Sequence, residues 1–194
     1  MKNIFIVAAL SGVCIPTLAS AELNYNAVNA SQSTTSYRNG ELDLKELDVG
    51  ISASISNDMY LQASYGTARQ NTLWIYGDRV ISSISLGAGY HRPLTDNTDA
   101  IAEGHVILGS AKWAGTSESA NGYDMGAGIR AMLLPGLEGA LALVHAHTSN
   151  GVVSSTDTFT KAQFGYHFTP QWQMTIGIDL KTDETMRIGL RYFY

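Results

Sequence analysis

The dominant pattern along this chain is strict alternation of apolar and polar positions. Trp172, Met174, Ile176, Ile178 and Leu180 share one phase, with Gln173, Thr175, Gly177 and Asp179 on the other. After Thr182-Asp183-Glu184, Met186, Ile188, Leu190, Tyr192 and Tyr194 alternate with Arg187, Gly189, Arg191 and Phe193. A period of two marks a strand with two different faces, so the last residues predict a strand, a tight turn and a strand. Reading backwards, the same period predicts strands near Thr156–Phe168, Leu137–His147, Tyr123–Leu133, Asp99–Lys112, Val80–His91, Met59–Ala68 and Glu41–Ile55. In Glu41–Ile55 the apolar phase slips between Leu44 and Leu47, which reads as a β-bulge. A weaker first strand near Leu23–Ser33 carries Leu23, Tyr25 and Ala27. The count is ten strands, with eight as the alternative.

The connections alternate in length. Short ones fall at Ser56-Asn57-Asp58, Arg92–Asn97, Leu134-Pro135-Gly136 and Thr169-Pro170-Gln171. Longer ones, rich in Gly, Ser and Thr, fall near Thr34–Gly40, Gln70–Arg79, Ala114–Asn121 and Thr148–Ser155. Short turns at one end and long loops at the other are the plan of an antiparallel up-and-down barrel. Alternation leaves open which face is wet, since a soluble ligand-binding barrel puts its apolar phase inside and a membrane barrel puts it outside. Two features favour the membrane. Glu103, Asp124, Arg130, Lys161 and Arg187 sit mid-strand on the polar phase, where they can pair in a lumen. Aromatics gather at strand ends: Tyr90, Tyr166, Phe168, Trp172, Tyr192 and Tyr194 at one end, Tyr65, Trp113 and Tyr123 at the other. Two such girdles are expected where rings meet headgroups.

The start of the chain has a different character. Met1-Lys2, the apolar run Ile4–Val13 and the small residues Ala19-Ser20-Ala21 form the pattern of a secretory signal peptide, cleaved after Ala21. This divides the chain into a leader, 1–21, and one barrel domain, 22–194. Cys14, the only cysteine, departs with the leader. Val13 before it argues against lipidation. Beyond Ala21 no apolar run approaches the ~18 residues of a membrane-crossing helix. Composition narrows the functional classes. Charged residues make up 15% of the chain, below the ~25% of an average soluble domain. Twelve Lys+Arg against 17 Asp+Glu argue against nucleic acid as a partner.

The terminal run Arg187-Ile188-Gly189-Leu190-Arg191-Tyr192-Phe193-Tyr194 reads polar-x-Gly-x-x-aromatic-x-aromatic. It resembles the C-terminal signal through which the barrel assembly machinery recognises outer-membrane substrates, with Gly189, Tyr192 and Tyr194 as its marks. From about Asn57 to Tyr194 the chain resembles the small single-domain outer-membrane barrels, the group that includes the OmpA transmembrane domain and OmpX. The stretch Leu86–Asp99 and the last hairpin look closest to a gammaproteobacterial small-barrel subfamily. The resemblance implies an all-β fold in the outer membrane of a Gram-negative cell, with lipopolysaccharide and other lipids around the barrel. It carries over no catalytic residue and no cofactor.

One cluster invites a catalytic reading. His147 and Ser149 lie on the same strand face, so the imidazole could take the hydroxyl proton and arm it against an ester. The run His145–Gly151 is similar to the His-x-Ser-Asn of lipid A 3-O-deacylase. A third group must orient the histidine, and Asp157 is the nearest candidate. His145 and His147 also share a face, but no third metal ligand accompanies them. The leading expectation is therefore a non-enzymatic envelope protein without an open pore. A lipid-modifying esterase and a narrow solute or ion channel are the alternatives.

Overall fold

The structure, a computed structural model, describes residues 23–36, 44–70, 79–113, 115–150, 154–181 and 184–194. The expected leader 1–21, with Ala19 and Ala21, lies outside the described residues, as does the Trp113 side chain. Ten strands follow in chain order: β1 Ala27–Ser36, β2 Leu44–Ser54, β3 Met59–Gln70, β4 Arg79–Thr95, β5 Thr98–Trp113, β6 Thr116–Leu134, β7 Leu137–Ser149, β8 Ser154–His167, β9 Trp172–Leu180 and β10 Glu184–Phe193. Each is antiparallel to the next, and β1 pairs with both β2 and β10, which closes the sheet. Closure satisfies every edge, the condition for a sheet in an apolar solvent.

The seam is fastened at its lower end, where the short turns and both ends of the described chain lie. The Ser54 amide donates to Asn26 Oδ1 at 2.7 Å, and the Tyr194 amide donates to the Asn26 carbonyl at 3.3 Å. The Tyr194 hydroxyl donates to the Ser52 carbonyl at 3.0 Å. Asn26 thus joins the start of β1 to the end of β2 and to the residue that follows β10. The turn after β6 is Pro135-Gly136, with Gly136 at φ 78°, the left-handed position that a type II turn gives to glycine.

The wall is apolar outside and polar inside. Leu86, Leu108, Leu143 and Ile188 each expose about half or more of their surface outward, whereas Gln173 is 0% exposed and Arg130 and Glu138 are nearly as buried. Among the aromatics, Tyr90, Phe168, Trp172, Tyr192 and Tyr194 point outward at the lower end, and Tyr65 and Tyr123 at the upper.

Three sequence expectations are corrected. The first strand begins at Ala27, and Tyr25 turns inward and is buried; its apolar body serves the lumen and not the outer wall. Pairing of β2 with β1 and β3 runs without a register shift from Leu44 to Ser52, so the bulge is absent. Leu44 takes the inward phase and Lys45 the outward one. Thr116–Asn121 is strand and not loop, paired with β5 up to Trp113 opposite Thr116. The last two share a cause. At the upper end the outer face no longer needs to be apolar, so alternation loses its meaning there while the backbone ladder continues.

Candidate functional site in the barrel lumen

Inward positions of all ten strands meet in a polar interior. At its lower end the side chains form a plug. Tyr25, just ahead of β1, stacks on His91 (ring centroids 3.9 Å) and Tyr60 (4.7 Å), and its hydroxyl donates to Asp99 Oδ2 at 2.7 Å. His91 Nδ1 lies 3.1 Å from the same oxygen. The Arg130 guanidinium lies over the Tyr25 ring, 4.7 Å from its centroid. It donates through Nε and Nη2 to the two Glu138 oxygens, each at 2.8 Å, and through Nη1 to the Asn24 carbonyl at 3.0 Å. Gln173 Nε2 donates to Glu138 Oε2 at 3.1 Å and lies 2.8 Å from His167 Nε2, whose ring stacks on Phe193. Arg191 completes the ring by donating to Gln173 Oε1 at 3.3 Å. A two-pronged Arg–carboxylate pair with its remaining lone pairs occupied is the arrangement in which buried charge is tolerated.

Above the plug runs a second chain of contacts. Glu103 Oε1 accepts from the Tyr60 hydroxyl at 2.6 Å and Gln62 Nε2 at 2.8 Å. His105 bridges Gln62 Oε1 (3.1 Å) and Asp124 Oδ1 (2.7 Å). Across the barrel Arg187 donates to Asp179 Oδ2 at 3.4 Å, and Lys161 lies in the combined field of the like-charged Arg187 and the carboxylates of Glu103, Asp179 and Asp124. Between these groups lies a cavity of about 410 Å³, with Glu46 and Asp48 of β2 on one wall and Lys161 and Arg187 on another.

The five charges expected to pair in the lumen all line this cavity, but the partners that hold Glu103, Asp124, Arg130 and Arg187 lie outside the five. Glu103 is held by a phenol and an amide, and Arg130 by Glu138. His145 and His147 face outward, in register with Met125 and Tyr123 of β6. His147 stacks on Tyr123 and its Nδ1 lies 2.9 Å from Thr156 Oγ1; His145 Nδ1 is 2.9 Å from Thr158 Oγ1. Asp157 pairs in register with Ala146 and so takes the opposite, inward phase. It is therefore not brought to His147 and Ser149. Among the described residues no group of three or more His, Cys, Asp or Glu is placed to hold a metal ion.

No protein-family model matches the chain, and no curated protein matches it. Solved structures do. The beta domain of the Bordetella autotransporter Brka aligns with 88% of this chain and 99% of its own at a TM-score of 0.56 and 11% identity. The NanC porin aligns over 86% of this chain and 100% of its own, with a TM-score of 0.53 and 9% identity. For the KdgM porin the values are 87%, 99%, 0.50 and 10%. The fold is that of an outer-membrane β-barrel. At such identities the likeness carries the fold and nothing finer.

Within this barrel periodicity puts Gln173 and Arg191 on the inward phase without indicating their partners, and it singles out none of the lumen residues Tyr60, Asp99, His105 and Glu138. A signal for part of the plug does exist. Gly165-Tyr166-His167 closes β8 before a short turn, and Gly89-Tyr90-His91 lies four residues before the end of β4. In both, the tyrosine takes the outward phase and the histidine the inward one. The inward glycine makes room for a neighbour. A Cβ on Gly89 would collide with the Tyr60 ring, and one on Gly165 with the Gln173 side-chain amide.

Proposed function

We propose that this protein resides in the outer membrane of a Gram-negative cell as a small barrel of the OmpA transmembrane domain/OmpX type. Its role is structural or surface-contacting, and its lumen does not conduct. Both termini face the periplasm and the upper loops face outward. The single observation that carries the reading is the inversion of the wall. Large apolar side chains cover the outside, while paired charges fill the inside. A soluble barrel with that surface would expose an apolar area far beyond the few hundred Å² that soluble proteins tolerate. Non-conduction is supported by the buried Arg130–Glu138–Gln173 ring at the lower end. The C-terminal strand, with Gly189, Tyr192 and Tyr194, is the proposed recognition element for the assembly machinery. Lipopolysaccharide and other lipids are the proposed surroundings.

The test is in two parts. Cell fractionation should place the chain with the outer membrane, in a form whose gel migration shifts on boiling; recovery in the soluble periplasm would contradict the reading. In planar bilayers the refolded barrel should give no conductance steps, and steady ion-selective steps would transfer the case to the narrow channel. The esterase alternative is addressed by lipid A mass spectra from cells with and without the protein, expected to be identical. Loss of an acyl chain that depends on Ser149 would make the His147–Ser149 pair catalytic.

A further inference from the structure

One row of outward positions crosses the upper end of β1 to β6. In register it runs Thr34, Lys45, Arg69, Val80, Lys112 and Ser117. Three of the six are cations, and all three are exposed. Lys45 and Arg69 stand directly opposite one another, an arrangement in which like charges destabilise a sheet unless something neutralises them. None of the three forms an ion pair with a described residue. Among the described residues of the upper wall, the outward acid Glu184 is on β10, opposite Ser36, with β1 between it and Lys45. Glu46 and Asp48 take the inward phase and line the lumen.

The height of the row defines what it meets. From Met59 to Arg69 is ten residues along β3. At ~3.4 Å per residue and a tilt of ~40° that is about 26 Å, the height of the apolar band of such barrels. Leu47 and Val49 lie beneath Lys45 on the outer face, Tyr65 beneath Arg69 and Leu108 beneath Lys112. The row therefore sits at the top edge of the apolar wall. A ligand that touches both must be an amphiphile with an anionic head. The steps from β2 to β5 span about 14 Å, enough for a headgroup with more than one phosphate.

We propose that Lys45, Arg69 and Lys112 form a docking strip on the outer wall for phosphate groups of the lipid headgroups around the barrel's upper end. The strip rests on the membrane reading above and adds a lipid preference to it. It differs from a generic basic surface in being one register row, placed where headgroup phosphates lie.

The test uses the refolded full chain in phosphatidylcholine vesicles with trace spin-labelled phosphatidic acid or phosphatidylcholine, reading which label becomes motionally restricted at the barrel. The wild type should prefer phosphatidic acid by roughly five- to tenfold at low salt. Preference should fall to near unity in the Lys45→Gln, Arg69→Gln, Lys112→Gln variant. Arg92→Gln, at the lower end, should keep it. Heat-modifiable migration reports that each variant is folded, and Lys112→Gln alone should give a partial loss. Equal preference in the wild type and the triple variant would overturn the strip while leaving the membrane reading intact. Abolition of the preference by millimolar inorganic phosphate at constant ionic strength would also overturn it, by making the row a free-anion site. Failure of the wild type to insert into vesicles would overturn both.

Discussion

Four side chains converge on Glu138: Arg130 with two hydrogen bonds, Gln173 with one, and His167 and Arg191 at 3.6 and 3.8 Å. Its burial is worthwhile only while these partners remain. Glu138→Gln leaves the Arg130 charge buried beside a neutral amide, which should cost about 3–5 kcal/mol. The urea midpoint of the folded band should drop accordingly. Replacing both Arg130 and Glu138 by Met should recover most of the loss, because the pair is then exchanged for packing and no charge is stranded. A Glu138→Gln variant as stable as the parent would show that the plug is ornamental. The glycines beside the plug give a second test at this scale. Gly89→Ala sets a Cβ against the Tyr60 ring and should destabilise by about 1–3 kcal/mol. The same substitution in a Tyr60→Leu background should cost less, and a double-mutant cycle with no coupling would refute the account of the Gly-Tyr-His repeat.

At the scale of the element, each strand is readable to the extent that its outer face must be apolar. Within the band, alternation placed β3, β5, β7, β8, β9 and β10 to within a few residues, because a slip of one residue would turn every leucine into the lumen. Outside the band the requirement lapses. This is why Thr116–Asn121 read as loop although it is paired strand, and why Leu44–Leu47 read as a bulge although the register is continuous. The lumen contacts were still less legible. Tyr25 meets Asp99 across 74 positions of sequence and Arg130 meets Asn24 across 106. Periodicity assigns a side chain to a face. It does not say which strands stagger so as to bring two faces level. The banded wall makes its own prediction. Leu86→Arg, mid-band on β4, should destabilise the folded barrel by about 2–4 kcal/mol, whereas Ser117→Arg, on the outer face at the top edge of the band, should be nearly neutral. Equal effects in urea titration would contradict the assignment of the band.

The whole molecule is a ring of ten strands whose closure depends on the last strand meeting the first. Asn26, Ser54 and Tyr194 fasten that seam from three chain segments, so closure is completed only when the C-terminal residue arrives. Removing Tyr194, or replacing Asn26 by Ala, should slow the appearance of the fast-migrating folded band during refolding into detergent; unchanged kinetics would mean that the seam closes without this fastening. The central claim, however, is the inversion of inside and outside, and nitroxide scanning of residues 104–110 in vesicles tests it most directly. Cys14 is the only cysteine of the chain and lies in the proposed leader, so single labels can be introduced cleanly. Labels at Val106 and Leu108 should relax readily with oxygen dissolved in the bilayer, and those at His105, Ile107 and Gly109 should not. An accessibility that fails to alternate, or alternates in the opposite phase, would contradict the account.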